Sequence, residues 1–354
     1  MNNTILRNKK TIWAVPAAAI AFGLLSAGCG DSGQKSEPGA QTASTASATA
    51  LNGAGATFPA PLYQKWFQEY QSKNGVQVNY QAIGSGGGIK GITAKSVDFG
   101  ASDAPMNDEE MAKAPGILHV PTVAGAVAIA YNVPGITTGI HLTGDVIADI
   151  FLGKIAKWND ARITALNPGK TFPDLAIAPT HRADGSGTTN IFTTYLSQVS
   201  PTWKAGPGAG KSVTWPSGLA GKGSAGVGAL VQQTEGAIGY IELAYALQNK
   251  IAFADVQNAK GAFITPTVES TTAAAAGATI PEDFRTVITN TSDPKGYPIT
   301  GFTFILVYKD AKPDVKKFLQ WALSDGQKDA APLVYAPLPE TVQKKALAEV
   351  ETMQ

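Results

Sequence analysis

The chain has 354 residues, in which 28 Lys and Arg are balanced by 27 Asp and Glu, giving a net charge of +1. This balance argues against a nucleic acid or an acidic membrane surface as the partner, because both are bound through an excess of positive charge. The length allows two domains with hydrophobic cores, and 38 Gly with 22 Pro indicate many tight turns.

The N-terminus has the pattern of an export signal. Three basic residues within the first ten precede an apolar run at 12–27, which is shorter than the about 20 residues of a membrane span. We therefore predict a signal peptide over residues 1–28. The run ends in LLSAGC, which is similar to the cleavage box of bacterial lipoproteins and predicts lipid attachment at Cys29. Plain secretion without a lipid is the alternative.

The next segment, DSGQKSEPGAQTASTASATA, is small and polar and has no helix or strand periodicity. Such a composition cannot bury enough apolar surface to fold, so residues 29–50 are predicted to be a flexible tether. Cys29 is the only cysteine, so an intrachain disulfide is impossible and the fold depends on its core. We expect the folded part to begin near Leu51.

Strand-like and helix-like patterns then alternate to the end of the chain. β-like runs begin near positions 76, 97, 127, 175, 236 and 301, and helical patterns begin near 59, 88, 186, 226, 313 and 340. Strands that alternate with helices favour an α/β architecture with mostly parallel sheets. In such sheets, ligands bind beyond the carboxyl ends of the strands, where helices begin.

Small and hydroxyl residues recur where strand-like runs end. The segments are GAGATFP at 53–59, IGSGGGIKG at 83–91, DFGASDAP at 98–105 and HRADGSGTT at 181–189. The N–H groups that open a helix lack intrahelical partners and carry partial positive charge, so they can bind an anion. Each segment alone is more typical of an ordinary helix cap or loop. Their recurrence in one chain favours a shared anion-binding site.

Motifs that would indicate catalysis are incomplete. AGPGAGKS at 205–212 fits a relaxed P-loop pattern, but no hydrophobic strand precedes it and no helix follows it. GKGSAG at 221–226 fits GxGxxG without the first strand of a βαβ unit before it. The histidines, His119, His141 and His181, share no metal-ligand spacing. Binding is therefore a more economical function than hydrolysis, and neither a cofactor nor a metal is predicted.

Longer segments of the chain resemble a known family. In chain order they are GAGATFPAPLYQKW, YQAIGSGGGIKGI, VDFGASDAPM, IFLGKIAKWND, RADGSGTT and GAIGYIELAYA. They are similar to the phosphate-binding protein of the bacterial high-affinity phosphate ABC importer, and the similarity runs from about 52 to 340. The resemblance implies a type II periplasmic binding protein fold, in which two α/β lobes are joined by two crossing strands and the ligand lies between them. Lobe I would comprise 51–124 and 302–354, and lobe II 125–301.

The resemblance also implies the site. The family's phosphate contacts match Thr57, Phe58, Ser85, Asp103, Arg182, Ser186, Gly187 and Thr188. Asp184, two residues after Arg182, is expected to pair with its guanidinium and hold it in place. Gly86 and His181 stand where family members often carry Ser and Arg, and we expect these departures to tune affinity.

The implied function is extracytoplasmic capture of inorganic phosphate for import, without enzymatic activity. The expected partners are phosphate and membrane permease subunits, and the expected protein is a monomer in the periplasm or on the outer face of the cytoplasmic membrane. Phosphate keeps a hydrogen at neutral pH and sulfate does not, so an ionised Asp103, which can only accept, should favour phosphate. The alternatives are a receptor for sulfate or molybdate, and a P-loop-type phosphotransferase using 205–212.

Overall fold

The structure, a computed structural model, describes residues 50–354. The predicted signal peptide at 1–28, the predicted lipid site at Cys29 and the tether up to residue 49 lie outside the described residues. The tether prediction was wrong for Ala50, which opens the first strand because it pairs with Gln77 of the next strand. Within the described part, no helix has the length and apolar character that crossing a membrane requires.

Strands and helices alternate as predicted. The strands are β1 (Ala50–Gly55), β2 (Gln77–Ala82), β3 (Phe99–Ser102), β4 (Ile117–Tyr131), β5 (His141–Leu142), β6 (Ala178–Arg182), β7 (Leu219–Gly221), β8 (Ala237–Glu242), β9 (Ala252–Phe253), β10 (Asp255–Gln257), β11 (Phe263–Ile264) and β12 (Thr300–Tyr308). The α-helices are α1 (Ala60–Asn74), α2 (Ser85–Thr93), α3 (Asp108–Lys113), α4 (Gly144–Phe151), α5 (Ala161–Leu166), α6 (Gly187–Val199), α7 (Pro201–Ala205), α8 (Gly223–Gln233), α9 (Leu243–Gln248), α10 (Val268–Ala276), α11 (Pro313–Ala322) and α12 (Glu340–Glu351). Short 3-10 helices cover Asp325–Asp329 and Ala331–Leu333.

Neighbouring strands of the main sheet lie in the order β2-β1-β3-β12-β4-β8-β6-β7. Pairing is parallel among β1, β2 and β3 and again among β6, β7 and β8. The pairs at the centre, β3 with β12, β12 with β4 and β4 with β8, are antiparallel. The α/β prediction is confirmed, and two parallel halves meet at a pair of long strands.

Strand β4 belongs to both halves. Residues 117–126 pair with β12, and residues 127–131 pair with β8. The sequence predicted a strand only from about 127. The earlier part contains Pro121, which lacks an N–H, and proline is rare inside strands. The structure accommodates Pro121 because the β12 register shifts between Thr303 and Phe304 and leaves Thr122 without a strand partner. The predicted lobe boundaries at 124/125 and 301/302 fall inside these strands and stay a prediction.

Helix α1 shows how the helices attach to the sheet. Its buried residues recur three and four positions apart and therefore form one face. They include Leu62, Tyr63, Trp66, Phe67 and Tyr70. The ring of Phe67 lies 6.2 Å from Phe99 of β3 and 5.5 Å from Phe318 of α11. The start of α1, directly after the loop that ends β1, is thereby fixed against the sheet.

Helix α2 begins within the segment GSGGG, which would otherwise be read as a loop. A Cβ at Gly88 would lie 2.5 Å from the carbonyl oxygen of Ala101 and 2.7 Å from Cα of Gly55. Both neighbours are backbone atoms of the sheet and cannot rotate away. Glycine at 88 is therefore required for α2 to lie this close to β1 and β3, which fixes the position of Ser85 at its first turn.

Replacing Gly88 by Ala should destabilise the protein by about 1–3 kcal/mol, because the added methyl group overpacks α2 against the sheet. Gly91 in the same helix is the matched control, since its added Cβ would meet only side-chain atoms, the nearest at 3.4 Å. Gly91→Ala should be stabilising by about 0.5–1 kcal/mol through helix propensity. Urea unfolding of both variants measures the difference. Equal effects at the two positions would contradict the packing argument.

Candidate anion-binding site

The predicted contact residues lie where strands end and helices begin. Thr57 and Phe58 join β1 to α1, and Asp103 directly follows β3. Ser186 caps the start of α6, where its side chain accepts a hydrogen bond from the N–H of Thr189. Because β1 and β3 lie in one half of the sheet and β6 in the other, the segments meet across the centre of the molecule.

Ser85 and Asp103 directly contact the opening of α6. The Ser85 hydroxyl accepts hydrogen bonds from the N–H of Gly187, at 2.9 Å, and from the N–H of Asp103, at 3.2 Å. Thr188 donates its hydroxyl hydrogen to Oδ2 of Asp103 at 3.4 Å. The side chains of Ser85, Asp103 and Thr188 are buried, so a ligand held among them would be shielded from bulk water.

Arg182 is held by a carboxylate two residues along the chain. Its side chain is 2% exposed, and Nε and Nη2 donate to Asp184 at 2.8 and 2.6 Å. Asp184 also accepts from the N–H of Gly223 at 2.9 Å. Burial alone would raise the pKa of Asp184, but the hydrogen bonds and charge of Arg182 outweigh it and lower the pKa. The bidentate pair fixes the guanidinium plane, and the remaining nitrogen, Nη1, lies 3.4 Å from the Thr188 hydroxyl.

Asp103 has no such bidentate partner. It is 2% exposed, and Thr303 donates to its Oδ1 at 3.0 Å. Burial raises the pKa of Asp103 to about 7, against the lowering effects of Thr303, of the Arg182 charge and of Thr188. The sequence-based premise of a simply ionised Asp103 is therefore corrected, because near neutral pH this carboxyl exchanges between its charged and protonated forms.

Backbone donors complete the arrangement. Within residues 50–354, no acceptor pairs with the N–H of Phe58, whose ring is fully buried. Arg182 contributes a buried guanidinium that is paired with Asp184. A tetrahedral anion can use hydroxyl, guanidinium and peptide donors together, and the single carboxyl can accept from a hydrogen that the anion carries.

Two elements of the site were missed by sequence reasoning. Ser224, at the start of α8, donates its N–H to Oγ1 of Thr57 at 3.1 Å, and the two hydroxyls lie 3.0 Å apart. It belongs to the GKGSAG segment, whose preceding strand β7 has only three residues and was not recognisable. Thr303 lies inside the apolar run of β12 without a helix after it, so the search for strand-to-helix junctions could not find it.

The relaxed P-loop segment at 205–212 has another role here. It follows α7 and forms a loop, and the carbonyl of Lys211 accepts the N–H of Ser186 at 2.9 Å. The ammonium of Lys211 pairs with Glu110 at 2.6 Å, across the cleft. The segment therefore supports the start of α6 and lacks the strand and helix of a nucleotide site.

The two departures from the family pattern also lie at this cleft. The N–H of Gly86 donates to the carbonyl of Gly185 at 2.9 Å, and a Cβ at Gly86 would be 3.3 Å from Cα of Gly185. The His181 ring stacks on Trp215 with centroids 4.8 Å apart. Gly86 thus forms a backbone contact between the two halves, and His181 packs on an aromatic ring beside Arg182.

A cavity next to the site does not coincide with it. It has a volume of about 760 Å³, and its lining includes Met106, Asn190, Lys211 and Arg285. None of the predicted contact residues lines it. The cationic groups of this cavity are already paired, Lys211 with Glu110 and Arg285 with Asp108 and Asp283, so the buried cluster stays the predicted anion site.

The chain matches known proteins over most of its length. The model of the PBP superfamily domain matches residues 40–326. The chain is 47% identical over 316 residues to the phosphate-binding protein PstS of Pasteurella multocida, covering 87% of this chain and 92% of that protein. It is 39% identical to PstS of Methanocaldococcus jannaschii over 333 residues, which cover 85% of both chains.

Solved structures show the same fold. A phosphate-binding protein from Stenotrophomonas maltophilia superposes with a TM-score of 0.65 at 22% identity, covering 85% of this chain and 93% of that chain. An ABC-type phosphate transport receptor from Vibrio cholerae gives a TM-score of 0.55 at 18% identity, covering 82% and 100%. The predicted periplasmic binding protein fold is confirmed.

Replacing Asp103 by Asn should stabilise the protein in phosphate-free buffer at pH 8 by about 2–4 kcal/mol. The folded-state pKa lies above the unfolded value of 3.8, so the folded state binds the extra proton, and wild-type stability falls as the pH rises from about 4 to 7. The advantage of the Asn variant should therefore disappear near pH 4. Denaturant unfolding across this range measures it, with the exposed Asp310→Asn as control. A stability difference that does not change with pH would contradict the burial argument.

Proposed function

Because the chain belongs to the family of phosphate-binding proteins of the phosphate ABC transporter, within the PBP superfamily, we propose that it binds inorganic phosphate and delivers it to an ABC permease for import. One observation carries the proposal. Asp103 and Arg182 lie together in the protein interior at the start of α6, where the Thr188 hydroxyl contacts both side chains. The full set of proposed contacts is Thr57, Phe58, Ser85, Asp103, Arg182, Ser186, Gly187 and Thr188.

Specificity for phosphate follows from counting hydrogens. When Asp103 is ionised, it accepts a hydrogen bond, and phosphate carries a hydrogen to donate. Sulfate carries none, so its oxygen would face a negative carboxylate in a dry site, a mismatch that costs several kcal/mol. When Asp103 is protonated, its own hydrogen can serve sulfate. Discrimination therefore depends on the charge state of one buried carboxyl.

The alternatives are less well supported. A sulfate or molybdate receptor would gain nothing from an acceptor-only carboxylate at the centre of the site. A phosphotransferase built on 205–212 would need the Lys211 ammonium for its phosphates, and that group is already paired with Glu110. The relatives are named as phosphate-binding proteins, and we propose no enzymatic activity for this chain.

The place of action follows from the same membership. We propose that the protein works outside the cytoplasm, in the periplasm or on the outer face of the membrane, as a monomer. Lipid attachment at Cys29 would keep the protein near its permease, and the segment up to residue 49 would act as the tether between the anchor and the folded part. Mass spectrometry of the mature protein tests the anchor, with a diacylglyceryl adduct on Cys29 expected and an unmodified Cys29 contradicting it.

At pH 8, isothermal titration of the unmutated protein should give phosphate binding about tenfold tighter than sulfate binding, because sulfate must bind the roughly one tenth of the protein in which Asp103 is protonated. Asp103→Asn should narrow this ratio, because the amide can donate to sulfate. Asp310→Asn should leave the ratio unchanged. Similar affinities for both anions in the unmutated protein would refute the hydrogen-counting argument.

The preference for phosphate over sulfate should also weaken as the pH falls. Since burial raises the pKa of Asp103 to about 7, the protonated fraction, and with it the apparent sulfate affinity, should rise about tenfold between pH 8 and pH 6. The Asp103→Asn variant should show no such rise. The same titrations at intermediate pH values measure how sulfate affinity changes with pH. A sulfate affinity that does not change with pH in the unmutated protein would contradict the role assigned to Asp103.

A further inference from the structure

Glu242 is a buried carboxyl that the proposed site does not use. It is the last residue of β8 and is 0% exposed. Its side chain caps α9 by accepting from the N–H of Ala244 at 2.9 Å and from the N–H of Tyr245 at 3.3 Å. Within residues 50–354 no cation forms an ion pair with it. A buried carboxyl without a cation is costly unless another group compensates it.

The remaining neighbour of Glu242 is Tyr335, which also contacts the proposed phosphate site. The Tyr335 hydroxyl oxygen lies 2.7 Å from the carbonyl oxygen of Phe58 and 3.2 Å from Oε2 of Glu242. Phe58 supplies one of the proposed phosphate donors through its N–H. The three residues therefore form a chain of polar contacts from β8, in one half of the sheet, to the β1–α1 loop in the other.

These residues surround the middle of β4. Glu242 pairs with Val127, and Ala336, next to Tyr335, exchanges backbone hydrogen bonds with Ala124 at 2.9 and 3.0 Å. The ring of Phe58 lies so close to Gly125 that a Cβ there would be 2.5 Å from it. The chain of contacts thus spans the strand at the point where its pairing passes from β12 to β8.

The number of available hydrogens determines which group donates in each of these polar contacts. A peptide carbonyl has no hydrogen, so the 2.7 Å contact uses the single hydroxyl hydrogen of Tyr335. The 3.2 Å contact then needs a second hydrogen, because two oxygen acceptors without one would repel each other. In this arrangement that hydrogen belongs to the carboxyl of Glu242.

We propose that Glu242 is protonated in neutral solution and donates to Tyr335, which donates to the Phe58 carbonyl, and that this relay positions Phe58 for phosphate. Glu242 and Tyr335 are positioning residues, since neither touches the ligand. Hydrogen bonds in such a chain polarise and strengthen one another. The proposal rests on the proposed phosphate binding at Phe58.

The electrostatic surroundings agree with a neutral carboxyl. Burial raises the pKa of Glu242 to about 8, against the lowering effects of the Ala244 and Tyr245 peptide groups and of Tyr335. The negative charge of Asp103 acts in the same direction as burial. The titratable groups that face Glu242 are thus Tyr335, Tyr245 and Asp103, and none of them is a cation.

The test is phosphate affinity by isothermal titration from pH 6.5 to pH 9 for the unmutated protein, Glu242→Gln and Tyr335→Phe. The Gln amide can donate to Tyr335 as the protonated acid does, so Glu242→Gln should bind like the unmutated protein at pH 6.5. As Glu242 loses its proton, the unmutated protein should weaken relative to the Gln variant by about three- to tenfold at pH 9, the worth of one hydrogen bond. Tyr335→Phe should bind about three- to tenfold more weakly at pH 6.5. Glu235→Gln and Tyr308→Phe are the matched controls.

A double variant separates the relay from direct repulsion between Glu242 and Asp103. In the Tyr335→Phe background, Glu242→Gln should have no effect on phosphate affinity at any pH, because the relay is already broken. An effect that persists there overturns the relay. A constant affinity ratio between the unmutated protein and Glu242→Gln, or normal binding by Tyr335→Phe, also overturns it.

The proton itself can be observed without phosphate. Infrared difference spectra of the unmutated protein against Glu242→Gln at pH 6.5 should contain a protonated-carboxyl band, and its absence overturns the proposal even if phosphate binds. Thermal unfolding checks that each variant is folded, and if the Gln variant is not, Tyr335→Phe alone decides. Failure of the unmutated protein to bind phosphate would instead overturn the proposed function and, with it, the relay.

Discussion

Asp103 is a carboxyl buried without a bidentate cation, and the proposed selectivity of the site depends on this constraint. Burial raises its pKa to about 7, whereas the neighbouring Asp184, clamped to Arg182, has a lowered pKa. The two carboxyls therefore divide the work. Asp184 keeps its charge and orients the guanidinium, and in the proposed site Asp103 would accept a hydrogen from the ligand or carry one itself. A site with this pair can distinguish tetrahedral anions by the hydrogens that they carry.

The sheet topology makes this site possible. Parallel strands in each half direct their carboxyl ends and the following helices toward the cleft, and the antiparallel pair β4 and β12 joins the halves. Asp103 and its donor Thr303 come from one half, and Arg182 with Thr188 comes from the other. The cost of burying these polar groups is offset only when both halves supply partners. The same hydrogen bonds therefore join the two halves at the proposed site.

The sequence predicted the alternation of strands and helices, and it picked out the segments that the structure brings together. Those segments share a local signature, small or hydroxyl residues at a strand-to-helix junction. Thr303, Ser224 and Glu242 lack it, since they lie inside a strand, after a three-residue strand and at the end of a buried strand. The charge state of Asp103 could also not be predicted from the sequence, because it depends on burial by elements distant along the chain. The signal peptide and the lipid site stay predictions from the sequence.

The most direct measurement counts the protons taken up when each anion binds at pH 8, by calorimetry in buffers of different ionisation enthalpy. If Asp103 reads the hydrogen of the ligand, sulfate binding should take up about one proton from solution, and phosphate binding close to none, because phosphate brings its own. The Asp103→Asn variant should take up none with either anion. The same proton uptake for sulfate and phosphate in the unmutated protein would contradict the account.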